Sequence, residues 1–248
     1  MHIIMVGFLA SAAAGLATGV GALPSLWLRG ASDRLLDSML GFAAGIMVAA
    51  SVFSLLVPAL QLGSIGSAVV GLVCGSLFVD FLDRMIPHTH FVQGREGPAG
   101  RLRRIWLLIM AITIHNIPEG LSVGVSFGIE NPATGMLLAT AMGLQNIPEG
   151  LAVALPLIRE GYGRGQAVVY ATLSGLVEPL AGLIGVLAVA TISALLPFSL
   201  AFAAGAMLYV VFDEIVPESH GRGYHREATF GAMLGFAVMM TLDNIFST

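Results

Sequence analysis

The stretch His115-Asn116-Ile117-Pro118-Glu119-Gly120 decides how this chain is read, because HNIPEG returns thirty positions later as QNIPEG, Gln145–Gly150. Each copy lies inside a long apolar run, 105–127 and 136–157. Within each copy the leading polar residue and the Glu are four apart, so on a helix they share one face. The two copies therefore set His115, Asn116 and Glu119 against Gln145, Asn146 and Glu149. Two carboxylates in sequence this apolar are costly to bury unless a cation lies between them. A divalent metal ion meets that requirement.

Composition supports a membrane setting. Of 248 residues, 56% are hydrophobic and 10% charged, and the mean hydropathy is +0.89. Soluble domains carry about 25% charged residues, so a soluble fold is excluded and an integral membrane protein is expected. The first apolar run lacks a basic leader and continues through Leu28, which reads as a retained spanning helix. Cys74 is the single cysteine, so neither an internal disulfide nor a thiolate cluster is available. The net charge of −4 is mild, and no nucleic-acid partner is expected.

A spanning helix needs about 20 mostly apolar residues. Eight such runs fit: 3–28, 37–60, 64–86, 104–127, 134–158, 166–191, 196–217 and 228–247. The connections are short, the longest being the loop 87–103, so residues 1–248 read as a single all-α transmembrane domain. The 31 glycines suit close packing of membrane helices through small residues.

All eleven basic residues are arginines. Arg29 and Arg34 follow run 1. Arg84, Arg95, Arg101, Arg103 and Arg104 flank the loop after run 3. Arg159 and Arg164 follow run 5, and Arg222 and Arg226 follow run 7. Every one falls on the same side of the membrane, and the loops after runs 2, 4 and 6 have none. The positive-inside rule then places the arginine loops in the cytoplasm and both termini outside.

A second, longer repeat surrounds the motifs. Phe42-Ala43-Ala44-Gly45 returns as Phe202-Ala203-Ala204-Gly205, and Gly71, Gly75, Leu82 and Asp83 return as Gly231, Gly235, Leu242 and Asp243, all at an offset of 160. Val57-Pro58 returns as Val216-Pro217 at an offset of 159, so one residue has been gained or lost. Runs 2–3 pair with runs 7–8, and by extension run 1 pairs with run 6. The two halves run in opposite directions across the membrane, which gives an inverted repeat of helices 1–3 and 6–8 around helices 4–5. Inverted repeats around a midplane site are a secondary-transporter plan.

In the central site His115 offers an imidazole nitrogen, Gln145 an amide oxygen, and Glu119 and Glu149 carboxylate oxygens. Mixed N/O ligation suits Zn²⁺, and also Fe²⁺, Mn²⁺ or Cd²⁺. The absence of thiolate keeps a soft metal from being held too tightly to leave. Pro118 and Pro148 each remove a helical hydrogen bond and loosen the helix where the ligands sit. Glu178, followed by Pro179 in run 6, supplies a third mid-span carboxylate. With Asn116, Asn146, Glu119 and Glu149 it would complete a second metal position, the two glutamates bridging both ions. Met47 in run 2 either packs or reaches the first position as a thioether. A lone intramembrane Glu is commonly protonated and hydrogen-bonded; three of them with a His and three amides in twin motifs are not explained that way.

Away from the centre, Ser54 lies near the outer end of run 2, and its counterpart at offset 160 is Glu214, near the inner end of run 7. Asp83, Asp213 and Glu214 lie near the cytoplasmic ends, and His88, His90, Glu218, His220 and His225 follow in cytoplasmic loops. They read either as a relay of weak ligands leading inward or as interfacial polar residues. Asp243, near the outer end of run 8, guards the way in or pairs with a helix dipole. Asp80 has no assignment from the sequence.

At these residues the chain closely resembles the ZIP family of divalent-metal transporters, in its bacterial GufA-like form. The resemblance rests on HNIPEG in run 4, QNIPEG in run 5, the Glu-Pro of run 6 and FDEIVPE in run 7, and spans essentially the whole chain. It implies import of Zn²⁺ across the cell (inner) membrane, with Cd²⁺, Fe²⁺ or Mn²⁺ tolerated, through a binuclear midplane site worked by alternating access. It implies His115, Glu119, Gln145, Glu149 and Met47 around one ion and Asn116, Asn146, Glu119, Glu149 and Glu178 around the other. It also implies an elevator-like movement of spans 1, 4, 5 and 6 against spans 2, 3, 7 and 8, within a homodimer in the lipid bilayer. Some relatives carry Asp where Asn146 stands, so the second position is expected to be weaker here. A metal-selective channel shares every ligand with such a carrier. An intramembrane metalloenzyme would need an activated water and a general base, commonly from H-E-x-x-H; that motif is absent, and the chain is not expected to be an enzyme.

Overall fold

The computed structural model describes residues 2–28, 32–89, 95–96, 104–129 and 131–247. Apart from a two-residue antiparallel pair, β1 (His88–Thr89) with β2 (Arg95–Glu96), its regular structure is helical. The helices are α1 (His2–Ala22), α2 (Asp33–Ala49), α3 (Val57–Leu62), α4 (Ile65–Met85), α5 (Arg104–Ser126), α6 (Pro132–Arg159), α7 (Arg164–Gly175), α8 (Val177–Thr191), α9 (Leu196–Val210), α10 (Val216–His220) and α11 (His225–Ser247). Helices α2–α3, α7–α8 and α9–α10 each continue end to end, so the described residues form eight long helical rods. Six of these are long and apolar enough to cross a membrane: His2–Leu26, Asp33–Leu62, Ile65–Met85, Arg164–Thr191, Ser193–His220 and His225–Phe246. The other two, α5 and α6, carry HNIPEG and QNIPEG. In α6 the cluster of Gln145, Asn146 and Glu149 dilutes the hydropathy.

The rod ends differ from the apolar runs for local reasons. Ser32 caps α2, its side chain accepting from Leu35 N, and Ser64 caps α4 in the same way from Ser67 N. Run 1 ends earlier than Leu28 as regular α-helix, because Pro24 opens a tighter turn over Leu23–Leu26. The rod of run 6 is broken at Leu176, two residues before Glu178-Pro179. By contrast α5 and α6 continue through Pro118 and Pro148. The loosening expected at those prolines therefore does not interrupt the helices; the sharper departures lie elsewhere.

Two of those departures are π-helical stretches, Ala50–Leu56 between α2 and α3 and Val211–Ile215 between α9 and α10. Each immediately precedes a Val-Pro, Val57-Pro58 or Val216-Pro217. A wider turn accommodates the ring that would otherwise press on the carbonyl four residues back. The shift of the sequence repeat from 160 to 159 falls inside these stretches, where one residue more or less is absorbed.

Packing divides the rods into two sets. In one, α2 lies along α11 and α4 along α9; in the other, α1 lies along α6, α5 along α8, and α7 against α1. The sets meet mainly where α2 touches α6 and α5 touches α9. Glycines set the closest approaches. A Cβ on Gly45 would strike the carbonyl of Ala232, and one on Gly205 would strike that of Leu72. Likewise Gly75 abuts the Phe202 carbonyl and Gly235 the Phe42 carbonyl. Each pair of contacts converts into the other on adding or subtracting 160.

Arginines tie three loop regions together at one end of the molecule. Arg34 pairs with Glu227 at 3.0 Å and Arg159 with Asp33 at 2.8 Å. Arg164 donates to the Leu26 carbonyl at 2.7 Å. Arg222 bridges the fully buried Asp37 (3.1 Å) and Glu218 (2.5 Å), and Tyr224 N donates to the other Asp37 oxygen at 3.2 Å. Asp80, unassigned from the sequence, accepts from Arg84 at 2.8 Å and from the Tyr209 hydroxyl at 3.3 Å.

Candidate metal centre

The two motifs meet inside the second set of rods. Helical spacing turns His115 and Glu119 of α5 toward Gln145 and Glu149 of α6. Backbones approach closely here too, because both motif glycines are sites of tight contact: a Cβ on Gly120 would strike the Glu178 carbonyl, and one on Gly150 the Thr18 carbonyl. Across the pair of glycines Gly15 and Gly175, α1 and α7 also meet backbone to backbone. These approaches bring four rods, α1, α5, α6 and α7–α8, around one polar pocket.

His115, Glu119 and Glu149 each present one ligand atom, all within 4.8 Å of one another. His115 Nε2 lies 3.7 Å from Glu119 Oε1 and 3.8 Å from Glu149 Oε2. These gaps are too long for hydrogen bonds. They are near the separation of roughly 3.4 Å between ligands on a tetrahedral ion with bonds of about 2.1 Å. Gln145 Nε2 donates to Glu119 Oε1 at 2.6 Å, which leaves the Gln145 amide oxygen buried with no partner. Glu119 Oε2 and Glu149 Oε1 are likewise buried without a hydrogen bond. Buried carboxylate and amide oxygens are ordinarily satisfied. Here four side chains of three kinds, an imidazole, two carboxylates and an amide, converge with acceptor atoms to spare, which is what a cation needs and a hydrogen-bonded core does not.

Beside this cluster lies a second one. Asn146 Nδ2 donates to Glu178 Oε1 and to the Ala14 carbonyl, both at 2.8 Å. Asn146 Oδ1, Glu178 Oε2 and Asn116 Nδ2 are buried without partners. The fully buried Glu178 owes its position to the break at Leu176, which begins α8 one residue before it. Met47 is fully buried on α2, within the apolar core.

One residue of the site was placed too far away by the sequence. Glu214, read as an inner-end residue, is buried with its Oε2 3.4 Å from His115 Nδ1. The rod from Leu196 continues to His220, past the apolar run, and its π turn carries Glu214 to the centre. The neighbouring Asp213 is exposed. The signal available in the sequence is an acid two residues before Val216-Pro217, standing at the offset of 160 from Ser54, which lies three residues before Val57-Pro58.

The remaining expected positions separate into pairs. Ser54 Oγ donates to Asp243 Oδ1 at 2.8 Å. His88 Nε2 lies 3.8 Å from Asp83 Oδ1, both residues being buried, and Nδ1 contacts the Ile86 carbonyl at 2.7 Å. Asp243 and Asp83 are themselves related by the offset of 160, although their partners Ser54 and His88 are not. Glu218 is held by Arg222. His220 lies at the end of α10 with its ring stacked on His225. His90 lies outside the described residues.

Comparison with known proteins identifies the family. A family model described as ZIP zinc transporter matches residues 87–243. The chain is 44% identical to the zinc transporter GufA of Myxococcus xanthus over 96% of this chain and 97% of that protein. It is 46% identical to the zinc transporter ZIPB of Bordetella bronchiseptica over 95% of this chain and 79% of that one. It is 39% identical to human zinc transporter ZIP11, covering 91% and 93% of the two chains. With relatives this similar over nearly its full length, the chain belongs to the ZIP family of zinc transporters.

Proposed function

We propose that this protein carries divalent transition metal, Zn²⁺ first, across a cell membrane through the cluster of His115, Glu119, Gln145 and Glu149. The observation that carries this reading is the convergence of one imidazole and two carboxylates within 4.8 Å, buried, with oxygens left unpartnered. The metal is substrate: it must bind and leave. Nitrogen and oxygen donors without thiolate allow both, and they equally accommodate Cd²⁺, Fe²⁺ and Mn²⁺. Glu178, Asn116 and Asn146 form a second position that shares Glu119 and Glu149. With an amide at 146 in place of a carboxylate it is the weaker of the two. Met47 is assigned to the first position as a thioether ligand.

Eight spans in an inverted repeat are the architecture proposed for this work. Three facts support it. Gly45 and Gly205, and Gly75 and Gly235, exchange contacts under the offset of 160. Gly15 and Gly175, themselves 160 apart, meet each other. Gly120 abuts Glu178 as Gly150 abuts Thr18, which extends the offset to runs 1 and 6. Alternating access then follows as movement of the α1, α5–α8 set against the α2–α4, α9–α11 set. The arginine-bearing loops lie in the cytoplasm and both termini outside, in the inner membrane; the gathering of Arg34, Arg159, Arg164 and Arg222 at one end supports this orientation. The working unit is a homodimer.

⁶⁵Zn uptake into proteoliposomes tests the reading. Saturable, temperature-steep uptake that is lost in Glu149→Ala is expected. Non-saturating flux would point to the channel, and uptake unchanged by Glu149→Ala would remove the cluster from the pathway.

A further inference from the structure

The turn Gly221–Tyr224 is bracketed by two histidines whose rings stack, centroids 5.6 Å apart and 28° from parallel. His220 is half-buried and His225 exposed. The hydrogen bonds around His220 fix which of its nitrogens is bare. Nδ1 lies 2.9 Å from the Val216 carbonyl, which can only accept, and 2.9 Å from Ser219 Oγ, whose hydroxyl donates to that same carbonyl at 2.9 Å, so Nδ1 carries the proton. The neutral ring then presents the lone pair of Nε2. That atom faces Thr229 Oγ1 at 3.4 Å, but the Thr229 hydroxyl already donates to the His225 carbonyl at 2.8 Å. A lone pair therefore looks at a lone pair, and nothing in this contact supplies the missing positive charge. An imidazole whose N–H is anchored on a backbone carbonyl while its other nitrogen stands bare is the arrangement that metal-binding histidines use.

The second ring is within reach. Two imidazoles on one tetrahedral zinc, with Zn–N of about 2.1 Å, have centroids roughly 5 Å apart. The observed 5.6 Å needs only a small rotation of the exposed His225. The nearby arginines are turned to other partners, Arg222 of the turn to Asp37 and Glu218, and Arg226 of α11 over the Phe230 ring at 5.8 Å.

We infer that His220 Nε2, a ring nitrogen of His225 and Thr229 Oγ1 form a peripheral site for a divalent transition metal, separate from the central cluster. Water completes the coordination. Because His220 ends α10 and His225 begins α11, a bound ion clamps the turn that holds Arg222 against Asp37. The site stands whether or not the central cluster transports metal.

Zn²⁺ equilibrium dialysis of the full chain in detergent tests it. With Glu119→Ala and Glu149→Ala removing the central cluster, the protein retains a single zinc per chain at micromolar free metal. Adding His220→Ala and His225→Ala removes that zinc, whereas Thr229→Val weakens it only a few-fold. Equal zinc in the presence and absence of the two histidines overturns the assignment. Should the glutamate variant not fold, the wild-type protein answers the same question through diethyl pyrocarbonate modification read by peptide mass. Zn²⁺ protects His220 and His225 together over one concentration range; modification of both at the metal-free rate overturns the site.

Discussion

Glu214 Oε2 lies 3.4 Å from His115 Nδ1, on the side of the ring away from Glu119 and Glu149. A carboxylate there draws the imidazole proton to Nδ1 and leaves the Nε2 lone pair pointing at the other two acids. One rod from each set of helices thus contributes to a single histidine: α5 provides the ring, and the π turn after α9 orients it.

Replacing that orienting carboxylate separates its role from direct binding. A group that holds the other ring nitrogen of a metal-bound histidine is worth about 10–100-fold in affinity. Glu214→Gln is expected to raise the zinc Kd by that factor while Glu119 and Glu149 remain, and isothermal titration of the purified protein measures it. An unchanged Kd would return Glu214 to a structural part.

The charge on Glu119 is the harder requirement. Its side chain is fully buried, and Gln145 already donates to one oxygen. Glu119→Gln keeps the shape and removes the charge, so the fold survives in gel filtration while proteoliposome uptake of ⁶⁵Zn falls at least tenfold. Glu119→Ala is expected to abolish uptake.

Close approach at the site also sets a limit on side-chain size. Gly120→Ala drives a methyl group into the Glu178 carbonyl, and Gly150→Ala into that of Thr18. Overpacking of this sort costs about 1–3 kcal/mol. Both variants are expected to lower the Tm in detergent and to lose transport, whereas Gly165→Ala, where a Cβ meets nothing within 4 Å, leaves both unchanged.

The Asp37–Arg222 pair makes an independent prediction outside the metal pathway. Removing one member of a buried ion pair costs roughly 3–5 kcal/mol, whereas replacing both with apolar residues is commonly tolerated. Asp37→Ala alone is therefore expected to lower the Tm sharply, and Asp37→Leu with Arg222→Met to recover most of it. Equal losses in the single and double variants would show that the pair is not the source.

Much of this was legible in the residues because helical spacing is a strong signal. HNIPEG and QNIPEG place their polar residues four apart, and burial of His115, Glu119, Gln145 and Glu149 around one point follows directly. The offset of 160 was legible as a repeat, and the contact of Gly45 with Ala232 corresponds under it to that of Gly205 with Leu72, though neither contact was itself readable from the residues. What escaped depended on helix irregularity. Glu214 reaches His115 only because a π turn re-aims it, and a regular projection puts it elsewhere. The prolines at 118 and 148 were expected to disturb their helices; those helices run on, and the break comes at Leu176 beside Glu178. Glu218 read as a stepping stone for metal because its partner Arg222, four residues on, read as an ordinary loop charge. Asp37 gave no sign that it is fully buried.

The most direct measurement is an anomalous difference map, at the zinc edge, from crystals of the protein soaked in Zn²⁺. The account predicts a peak between α5 and α6, about 2.0–2.2 Å from His115 Nε2 and from carboxylate oxygens of Glu119 and Glu149. Zinc peaks elsewhere with none between those three side chains would contradict it.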